Sequence, residues 1–366
     1  MLLYLIPIFI FLIGVLICDV GKETKYSLSL MLISFLYMTL LIGLRFEVGG
    51  DTLNYMGDYE WRVPLSDWEP TFIDKFQPGY VFLCSLAKSI SPEFYVFQIL
   101  HVFLLNLLIF IFVYRNAEYK FAALTTVYLI CYIYFSTEIL RESLAVMIFM
   151  FSYKNFEQRE WVKYYFGVAL AALFHVSAVF LLLLPFIKWV KFDKKYIYAM
   201  LVVMVGTLAM DKVFAVLSNI AIIGEKISTY SDMTSIGFFA GMINLMKRCV
   251  FPVICVLFFR YGCRKEMKYE RAIAIMSLFG MAAFFSPIIF GRVINYFIIF
   301  FAISFSDSVM EMLLSRTKAL IGNARIFLIC FILLYGSEYV LYRRYERFLP
   351  YYSIFNPVSV DRDNFN

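Results

Sequence analysis

A cluster of polar residues that could do chemistry follows the second long apolar run of the sequence, between positions 43 and 61. It contains, in order, Arg45, Gly49, Gly50, Asp51 and Tyr55. The planar guanidinium of an arginine binds phosphate oxygens in pairs and stays charged. An arginine, a glycine pair and an acid packed at the end of an apolar run therefore mark this loop as a candidate site.

Further charged residues lie between later apolar runs. They are Glu138, Arg141 and Glu142 in one group, then His175, then Arg292. Charges at membrane depth are costly, so each one suggests a functional site. Several arginines together suit a lipid-linked pyrophosphate that arrives from the bilayer.

Each of these residues also has a structural explanation. Arg45 could extend from a helix end to lipid headgroups, and Arg141 could pair with the acids beside it. Asp51 could cap a short helix, and His175 could cap a tight turn. Arg292 stands at a helix start, where the helix dipole does not favour a cation, so its structural explanation is weaker. The residues carry more weight as a set than singly.

The composition predicts a membrane protein built from helices. The 366 residues are 62% hydrophobic and 16% charged, whereas a soluble domain is about half apolar and a quarter charged. The apolar runs are too long for the strands of a barrel, so we expect a helical bundle. Seven cysteines without a close pair and two histidines indicate neither a disulfide framework nor a metal site. We expect residues 1–366 to form one polytopic domain.

Apolar runs predict twelve long helices and one short one. The long runs are 2–18, 28–44, 93–113, 121–136, 139–153, 162–175, 176–190, 196–216, 242–260, 272–290, 293–311 and 325–342. The short run, 78–90, rises about 20 Å as a helix, which is too short to span comfortably. The first run has no basic segment before it and no cleavage site, so we predict that it is a permanent helix.

Loop charges set the sidedness of these helices. Segment 45–77 holds seven acidic and three basic residues, whereas five other loops are basic. These are 114–120, 154–163, 188–195, 260–271 and 311–325. The positive-inside rule puts the basic loops in the cytoplasm and segment 45–77 outside. Both placements hold only if 78–90 does not cross, so we predict twelve crossings, with 78–90 re-entrant or interfacial.

Both termini then lie outside, together with three connecting or terminal segments. These are the loop 45–92 with its re-entrant helix, the loop 217–241 and the tail 343–366. The tail carries Arg343, Arg344 and Arg347, against the positive-inside rule. The topology therefore requires either an anionic partner for these arginines outside or a different last crossing.

Six ordered motifs give the sequence a family resemblance. They are GLRFEVGGDTLNY, FQPGYVFLCSLAKSI, ILRESLAVMIF, LFHVSAVFLLLLPF, GRVINYF and LPYYSIF, spread from about position 40 to 355. Together they resemble the EpsG-like Wzy family of O-antigen and exopolysaccharide polymerases. Glu142 stands where that family usually has glutamine, and Glu138 where a small or amide residue is common. This departure leaves open whether Arg141 is available for a phosphate or is tied to local acids.

The resemblance implies a GT-C-like polymerase bundle in the bacterial inner membrane, with its active site facing the periplasm. It implies a glycosyltransferase that joins oligosaccharide repeat units linked to undecaprenyl pyrophosphate, in the synthesis of lipopolysaccharide or a related polysaccharide. The growing chain is then the donor and a sugar hydroxyl of the new unit is the acceptor. The implied partners are these glycans, the lipid bilayer and a chain-length regulator protein, without nucleic acid, cofactor or metal.

On this hypothesis the candidate residues take three roles. Arg45, Arg141 and Arg292 bind the leaving pyrophosphate. Asp51 or His175 takes the acceptor proton as general base. The substrate-binding residues are Gly49, Gly50, Tyr55, Tyr80, Glu142 and Tyr296.

Two other classes remain open. An O-antigen ligase uses the same chemistry, and a larger outer loop than 217–240 would favour it. A flippase or transporter of lipid-linked sugars would need charges along the whole crossing and often shows repeats, whereas here the unexplained charges gather on one side. A membrane acyltransferase could use a buried histidine, but the ordered arginine motifs argue against it.

Overall fold

The computed structural model describes residues 2–69, 76–208, 238–285, 287–336 and 345–360. In these ranges the α-helices are Leu2–Gly14, Ser27–Gly43, Thr52–Glu60, Pro78–Ile90, Phe94–Asn116, Lys120–Val127, Ile133–Thr137, Leu140–Gln158, Trp161–Ala172, Lys194–Leu208, Phe238–Leu245, Phe251–Gly262, Glu270–Phe285, Pro287–Leu313, Lys318–Phe331 and Tyr345–Phe348. Several helices continue through π-helical segments at Val15–Val20, Tyr128–Tyr132, Met246–Val250 and Ile332–Gly336. Segments of 3₁₀ helix are Thr24–Tyr26, Leu65–Asp67 and Val176–Ile187.

Seven helical stretches of the described ranges are long and apolar enough to cross a bilayer. They are Leu2–Val20, Thr24–Gly43, Phe94–Asn116, Lys120–Thr137, Phe238–Gly262, Phe290–Leu313 and Lys318–Gly336. These runs form helices because a backbone in hydrocarbon must bond its own N–H and C=O groups. The predicted all-helical class and the multi-pass membrane character are confirmed.

The remaining predicted runs form shorter or more polar helices. They are Leu140–Gln158, Trp161–Ala172, Val176–Ile187, Lys194–Leu208 and Glu270–Phe285. The count of twelve crossings therefore stays a prediction. Most of the predicted outer loop 217–241 lies outside the described residues, and its last four positions already belong to helix Phe238–Leu245.

The five basic loops gather on one side of the bundle, here called the inner face. The contacts that join them are Asp307 Oδ1 with Tyr119 N at 3.0 Å, Tyr269 Oη with Asn116 Oδ1 at 2.7 Å, Lys188 Nζ with Phe156 O at 2.8 Å, and the ion pairs Arg271–Glu157 and Lys265–Glu311. Helix Phe94–Asn116 has 23 residues and reaches about 34 Å from this face to the opposite one. The basic loops thus lie on a common side, as their charges predict.

The opposite side, here called the outer face, joins the loop 44–50 to the C-terminal segment. Phe46 N donates to Tyr352 O at 2.9 Å, and Gly49 N donates to Arg347 O at 3.0 Å. The side chain of Arg347 lies 3.7 Å from Glu138. Arg347 therefore has the anionic partner that the predicted topology requires, whereas Arg343 and Arg344 lie outside the described residues.

The short helix Pro78–Ile90 has the bounds that the sequence predicts. Its first turn packs on the end of helix Trp161–Ala172, where Gly79 N donates to Leu173 O at 2.7 Å. A Cβ atom at Gly79 would lie 2.8 Å from that oxygen, so only glycine allows this approach. The contact brings the residues just before the short helix close to the turn that carries His175.

The segment Val176–Ile187 is a 3₁₀ helix of twelve residues, which sequence reasoning did not foresee. Because a 3₁₀ helix rises about 2.0 Å per residue, it reaches about 24 Å, whereas an α-helix of that length reaches about 18 Å. Tyr164 Oη donates to Leu181 O at 2.5 Å and ties it to the preceding helix. The tighter winding lets a short apolar segment reach farther between the two faces.

The two faces predict a labelling pattern. We expect a cysteine at exposed Glu60 to react with a membrane-impermeant maleimide on intact cells, and one at Lys194 to react only after permeabilisation. The native cysteines that are not buried, Cys18, Cys263 and Cys330, are first replaced by serine. Reaction of both variants in permeabilised cells is the control. Labelling of Lys194→Cys on intact cells would contradict the assignment of the faces.

Candidate functional site

The carboxylate of Glu142 is the centre of the candidate site. It lies in the first turn of helix Leu140–Gln158, where the helix dipole favours an anion, and is 1% exposed. Arg292 Nη1 donates to its Oε2 at 2.6 Å and Asn295 Nδ2 donates to its Oε1 at 2.7 Å. Since a buried charge must be paired and hydrogen-bonded, this carboxylate fixes Arg292 at the outer end of its helix.

The imidazole of His175 lies beside this pair, with Nδ1 4.0 Å from Glu142 Oε2. Ser177 N donates to the same Nδ1 at 3.3 Å, and the Ser177 hydroxyl lies 2.6 Å from it. A nitrogen that accepts from a backbone N–H carries a lone pair, so the proton of the neutral ring is on Nε2. Tyr296 Oη lies 2.9 Å from Ser177 Oγ and extends the chain. His175 therefore offers an N–H donor through Nε2.

Arg141 is held in place by uncharged groups. Its guanidinium carbon lies 4.0 Å from the centre of the Phe76 ring, and Nη1 donates to Gln77 Oε1 at 3.3 Å. Its Nε is buried without a hydrogen-bond partner. Among the described residues Arg141 forms no ion pair, because Glu142 pairs with Arg292 and Glu138 with Arg347. Its charge thus stays available for an anion.

Tyr55 and Asp51 bring the outer loop to this site. Burial raises the pKa of the Tyr55 hydroxyl, Arg141 and Arg292 oppose the rise, and Asp51 adds to it. All three charged groups are therefore close enough to act on Tyr55. Asp51 precedes helix Thr52–Glu60 but its side chain does not cap that helix. Within the described ranges, its carboxylate forms neither a hydrogen bond nor an ion pair.

Arg45 does not join the site, which corrects its predicted role in pyrophosphate binding. Its side chain is 0% exposed, with Nε donating to Val48 O at 3.0 Å and Nη1 to Ile42 O at 2.7 Å. Burial lowers the pKa of Arg45 to about 10, so the group stays charged at neutral pH. Gln98 Nε2 donates to Arg45 O at 2.9 Å. Arg45 therefore stabilises the turn at the end of helix Ser27–Gly43 and cannot contact a substrate in this conformation.

The glycine pair has a packing role, and its predicted contact with substrate stays a prediction. Gly49 has a φ of 113°, in the region that favours glycine. A Cβ atom there would lie 3.0 Å from Thr137 O, and one at Gly50 would lie 3.0 Å from Glu138 Oε2. Gly50 N donates to Glu138 Oε1 at 2.8 Å. The pair lets the outer loop approach helix Ile133–Thr137 and so sets the position of Asp51.

Two predicted substrate-binding tyrosines are also supporting residues, since Tyr80 and Tyr296 are both 0% exposed. Tyr80 packs between Phe76 and Phe97, with ring centres 5.6 Å from each. Tyr296 reaches the site only through Ser177. Both side chains therefore pack behind the candidate site and support its residues.

Sequence reasoning missed several residues of the site. They are Asn295, Ser177, Gln77 and Phe76. Asn295 had a local signal, because it lies three residues after Arg292 and thus on the same helix face. The partners of Arg141 had none, because their position depends on how the short helix packs. The described ranges contain no group of three or more His, Cys, Asp or Glu side chains that could hold a metal.

The chain matches the model of a protein family over most of its length. The EpsG family model matches residues 28–353, a range that contains every predicted site residue. It is the family that the six motifs resemble. No curated protein and no solved structure matches the chain.

The position of Arg45 predicts a defect in stability. We expect Arg45→Lys to lower the melting temperature and the amount of folded protein in the membrane, because a lysine cannot donate to both carbonyls. Each lost charge-assisted hydrogen bond costs about 1.5–3 kcal/mol. The matched control is Arg316→Lys at an exposed position of the inner face. An Arg45→Lys protein that is fully stable but inactive would return Arg45 to the substrate site.

Proposed function

The chain belongs to the EpsG family, and from this premise we propose that it is a polysaccharide polymerase acting on lipid-linked repeat units. It joins oligosaccharides carried on undecaprenyl pyrophosphate, as an O-antigen or exopolysaccharide polymerase does. The observation that carries the proposal is Arg141, a cation on the outer face that no described acid neutralises, beside the Glu142–Arg292 pair and His175.

The polymerase crosses the bacterial inner membrane twelve times, with both termini and the site on the periplasmic side. The two faces support this topology, because the described helical stretch Leu2–Val20 runs from Tyr4 at the outer face to Asp19 at the inner face, and Phe94–Asn116 runs between the same two faces. Pro78–Ile90 stays at the outer face, since the residues before it contact Arg141 and Ser91 after it accepts from Tyr59 Oη at 3.1 Å. The acidic balance of segment 45–77 agrees with this side.

Arg141 and Arg292 stabilise the pyrophosphate as it leaves the donor sugar. Charge grows on the leaving oxygen as the bond to the sugar breaks, and fixed cations in a site of low dielectric stabilise that charge. Phe76 and Gln77 fix Arg141, and Glu142 fixes Arg292, so neither has to reorganise during the reaction. The Arg292 side chain is 40% exposed despite its ion pair, so part of its fork can reach the phosphates.

Asp51 is the general base of the transfer. The acceptor hydroxyl gives its proton to the Asp51 carboxylate while its oxygen forms the new glycosidic bond and the sugar–pyrophosphate bond breaks. The absence of any described partner for this carboxylate supports the role, because its lone pairs are available. His175 carries its proton on Nε2 because Nδ1 accepts from Ser177 N, so it serves better as a hydrogen-bond donor to substrate oxygens than as the base. Tyr55 is close enough to Asp51, Arg141 and Arg292 for all three charges to influence the pKa of its hydroxyl.

The proposed pyrophosphate contacts predict that polymer formation requires the planar guanidinium of arginine and not only its positive charge. We expect Arg141→Lys and Arg292→Lys to lower polymer formation by about ten- to a hundredfold, the effect of losing one charge-assisted hydrogen bond. Both should nearly match their alanine variants, because lysine keeps the charge but loses the planar fork. Glycan length is measured at equal protein abundance, with Arg316→Lys as control. Long chains from both lysine variants would show that charge alone suffices.

The base assignment and the reaction class are tested together with purified protein in detergent. The assay contains a repeat unit on undecaprenyl pyrophosphate, a chelator and neither ATP nor an ion gradient. We expect dimers and longer oligomers with the wild type and a loss of about 10²–10⁴-fold with Asp51→Asn. His175→Gln, which keeps a donor N–H, should lose less. If His175→Gln loses more than Asp51→Asn, His175 is the base.

Other outcomes of that assay contradict the polymerase. Movement of the substrate across a liposome membrane without a new glycosidic bond identifies a transporter. Transfer of a finished glycan to a lipid A core, without repeat-to-repeat bonds, identifies a ligase.

A further inference from the structure

A second polar cavity lies beside the candidate site and plays no part in the chemistry described so far. Its volume is about 130 Å³, which is room for about four water molecules at roughly 30 Å³ each. Its lining includes the basic side chains of Lys247, Arg248 and Arg347, the acid Glu138 and the amide of Asn295. Such a lining suits a small anion with several oxygens.

Local helix geometry builds this cavity. Three π-helical segments contribute to its wall, namely Tyr128–Tyr132, Met246–Val250 and Ile332–Gly336. π-Helical turns are rare and are frequent at functional sites. Tyr335 Oη donates to Lys247 O at 2.6 Å and joins two of the segments. The segment with Lys247 and Arg248 lies in the middle of the largely apolar stretch Phe238–Gly262, so two adjacent cations there require an explanation beyond helix formation.

Two glycines make room for Arg248. A Cβ atom at Gly280 would lie 2.4 Å from Arg248 O, and one at Gly291 would lie 3.2 Å from Arg248 Nη1. The first glycine admits the backbone and the second admits the guanidinium. Gly291 directly precedes Arg292, so the guanidinium of Arg248 lies next to the helix turn that carries the first site.

The charges of the described lining are predominantly positive. Lys247 is 4% exposed, so water screens its charge weakly. Glu138, the acid among the described lining residues, is shared between Gly50 N and Arg347. Arg248 forms no ion pair within the described ranges. Because arginine binds phosphate oxygens well, Arg248 suits an anionic ligand.

The cavity is coupled to the first site through shared residues. Asn295 lines it and also donates to Glu142. Glu138 lines it and also holds Gly50, next to Asp51. A single side chain, Asn295, therefore separates a ligand in this cavity from the leaving-group site, and another, Glu138, separates it from the loop that carries the base.

We propose that this cavity binds the pyrophosphate of a second prenyl-linked substrate, the acceptor of the glycosyl transfer. The inference rests on the proposed function, because a polymerase must hold two lipid-linked glycans at once. The acceptor keeps its pyrophosphate through the reaction, so its site needs affinity without transition-state stabilisation. The cavity meets this need, whereas Arg141 and Arg292 hold the pyrophosphate that leaves.

The test is the number of pyrophosphate sites, measured by calorimetry with farnesyl pyrophosphate on the full-length protein in detergent. We expect two sites in the wild type and one in Arg248→Gln, with the lost site weakened by about ten- to a hundredfold. Arg141→Gln should lose the other site. Arg316→Gln should keep both. The binding measurement does not depend on polymerisation. If the wild type binds at two sites but forms no polymer, only the proposed polymerase function is contradicted. If the wild type forms polymer but binds at one site, this inference is overturned.

Further arms identify the ligand and control for folding. Inorganic pyrophosphate should compete only weakly with farnesyl pyrophosphate, because it lacks the prenyl chain. If it binds as tightly as farnesyl pyrophosphate, the cavity is a site for the free anion and the proposal is overturned. Displacement by phosphatidylglycerol at similar concentration would show a general headgroup site and overturn the proposal. If Arg248→Gln melts earlier than the wild type, Gly291→Leu replaces it, because the larger side chain beside Arg248 Nη1 displaces the guanidinium while the charge remains. Retention of two sites in a stable Gly291→Leu protein would also overturn the proposal.

Discussion

The ion pair of Glu142 with Arg292 is the interaction on which the outer site depends. A carboxylate that is 1% exposed at this depth needs partners that compensate its charge. Arg292 and Asn295 of helix Pro287–Leu313 donate hydrogen bonds to it. His175, in the turn after helix Trp161–Ala172, lies with Nδ1 4.0 Å from Glu142 Oε2. Meeting that requirement brings three distant parts of the chain together. It also leaves Arg141 without an ion pair to the neighbouring Glu142 in the described structure.

The arginines show that burial and hydrogen-bond partners give residues of the same type different roles. Arg45, sealed among backbone carbonyls, maintains a turn. Arg292 is oriented by a carboxylate, and Arg141 by an aromatic ring and an amide. Because arginine stays charged in all these settings, the protein changes what each residue does through its neighbours alone.

The sequence predicted what depends on composition and local pattern. Long apolar runs predicted most helices, loop charges predicted the common inner face, and Pro78–Ile90 was predicted to the residue. The pairing of Glu142 with Arg292 spans 150 positions and could not be read from local spacing. Lys247 and Arg248 were overlooked because apolar residues surround them, and Arg45 was misassigned because its burial depends on Gln98 and the tail. The 3₁₀ winding of Val176–Ile187 has no local signature in an all-apolar run.

The backbone pairing between the outer loop and the C-terminal segment has a consequence for biogenesis. Tyr351 Oη donates to Leu41 O across 310 residues of sequence, beside the bonds from Phe46 and Gly49 to the same segment. At about 5–20 residues per second, the ribosome needs tens of seconds to make that interval. The loop that carries Asp51 therefore takes its final form late, after insertion of the intervening helices. A nascent chain in the membrane therefore lacks the completed outer face until the segment around Tyr351 has been made.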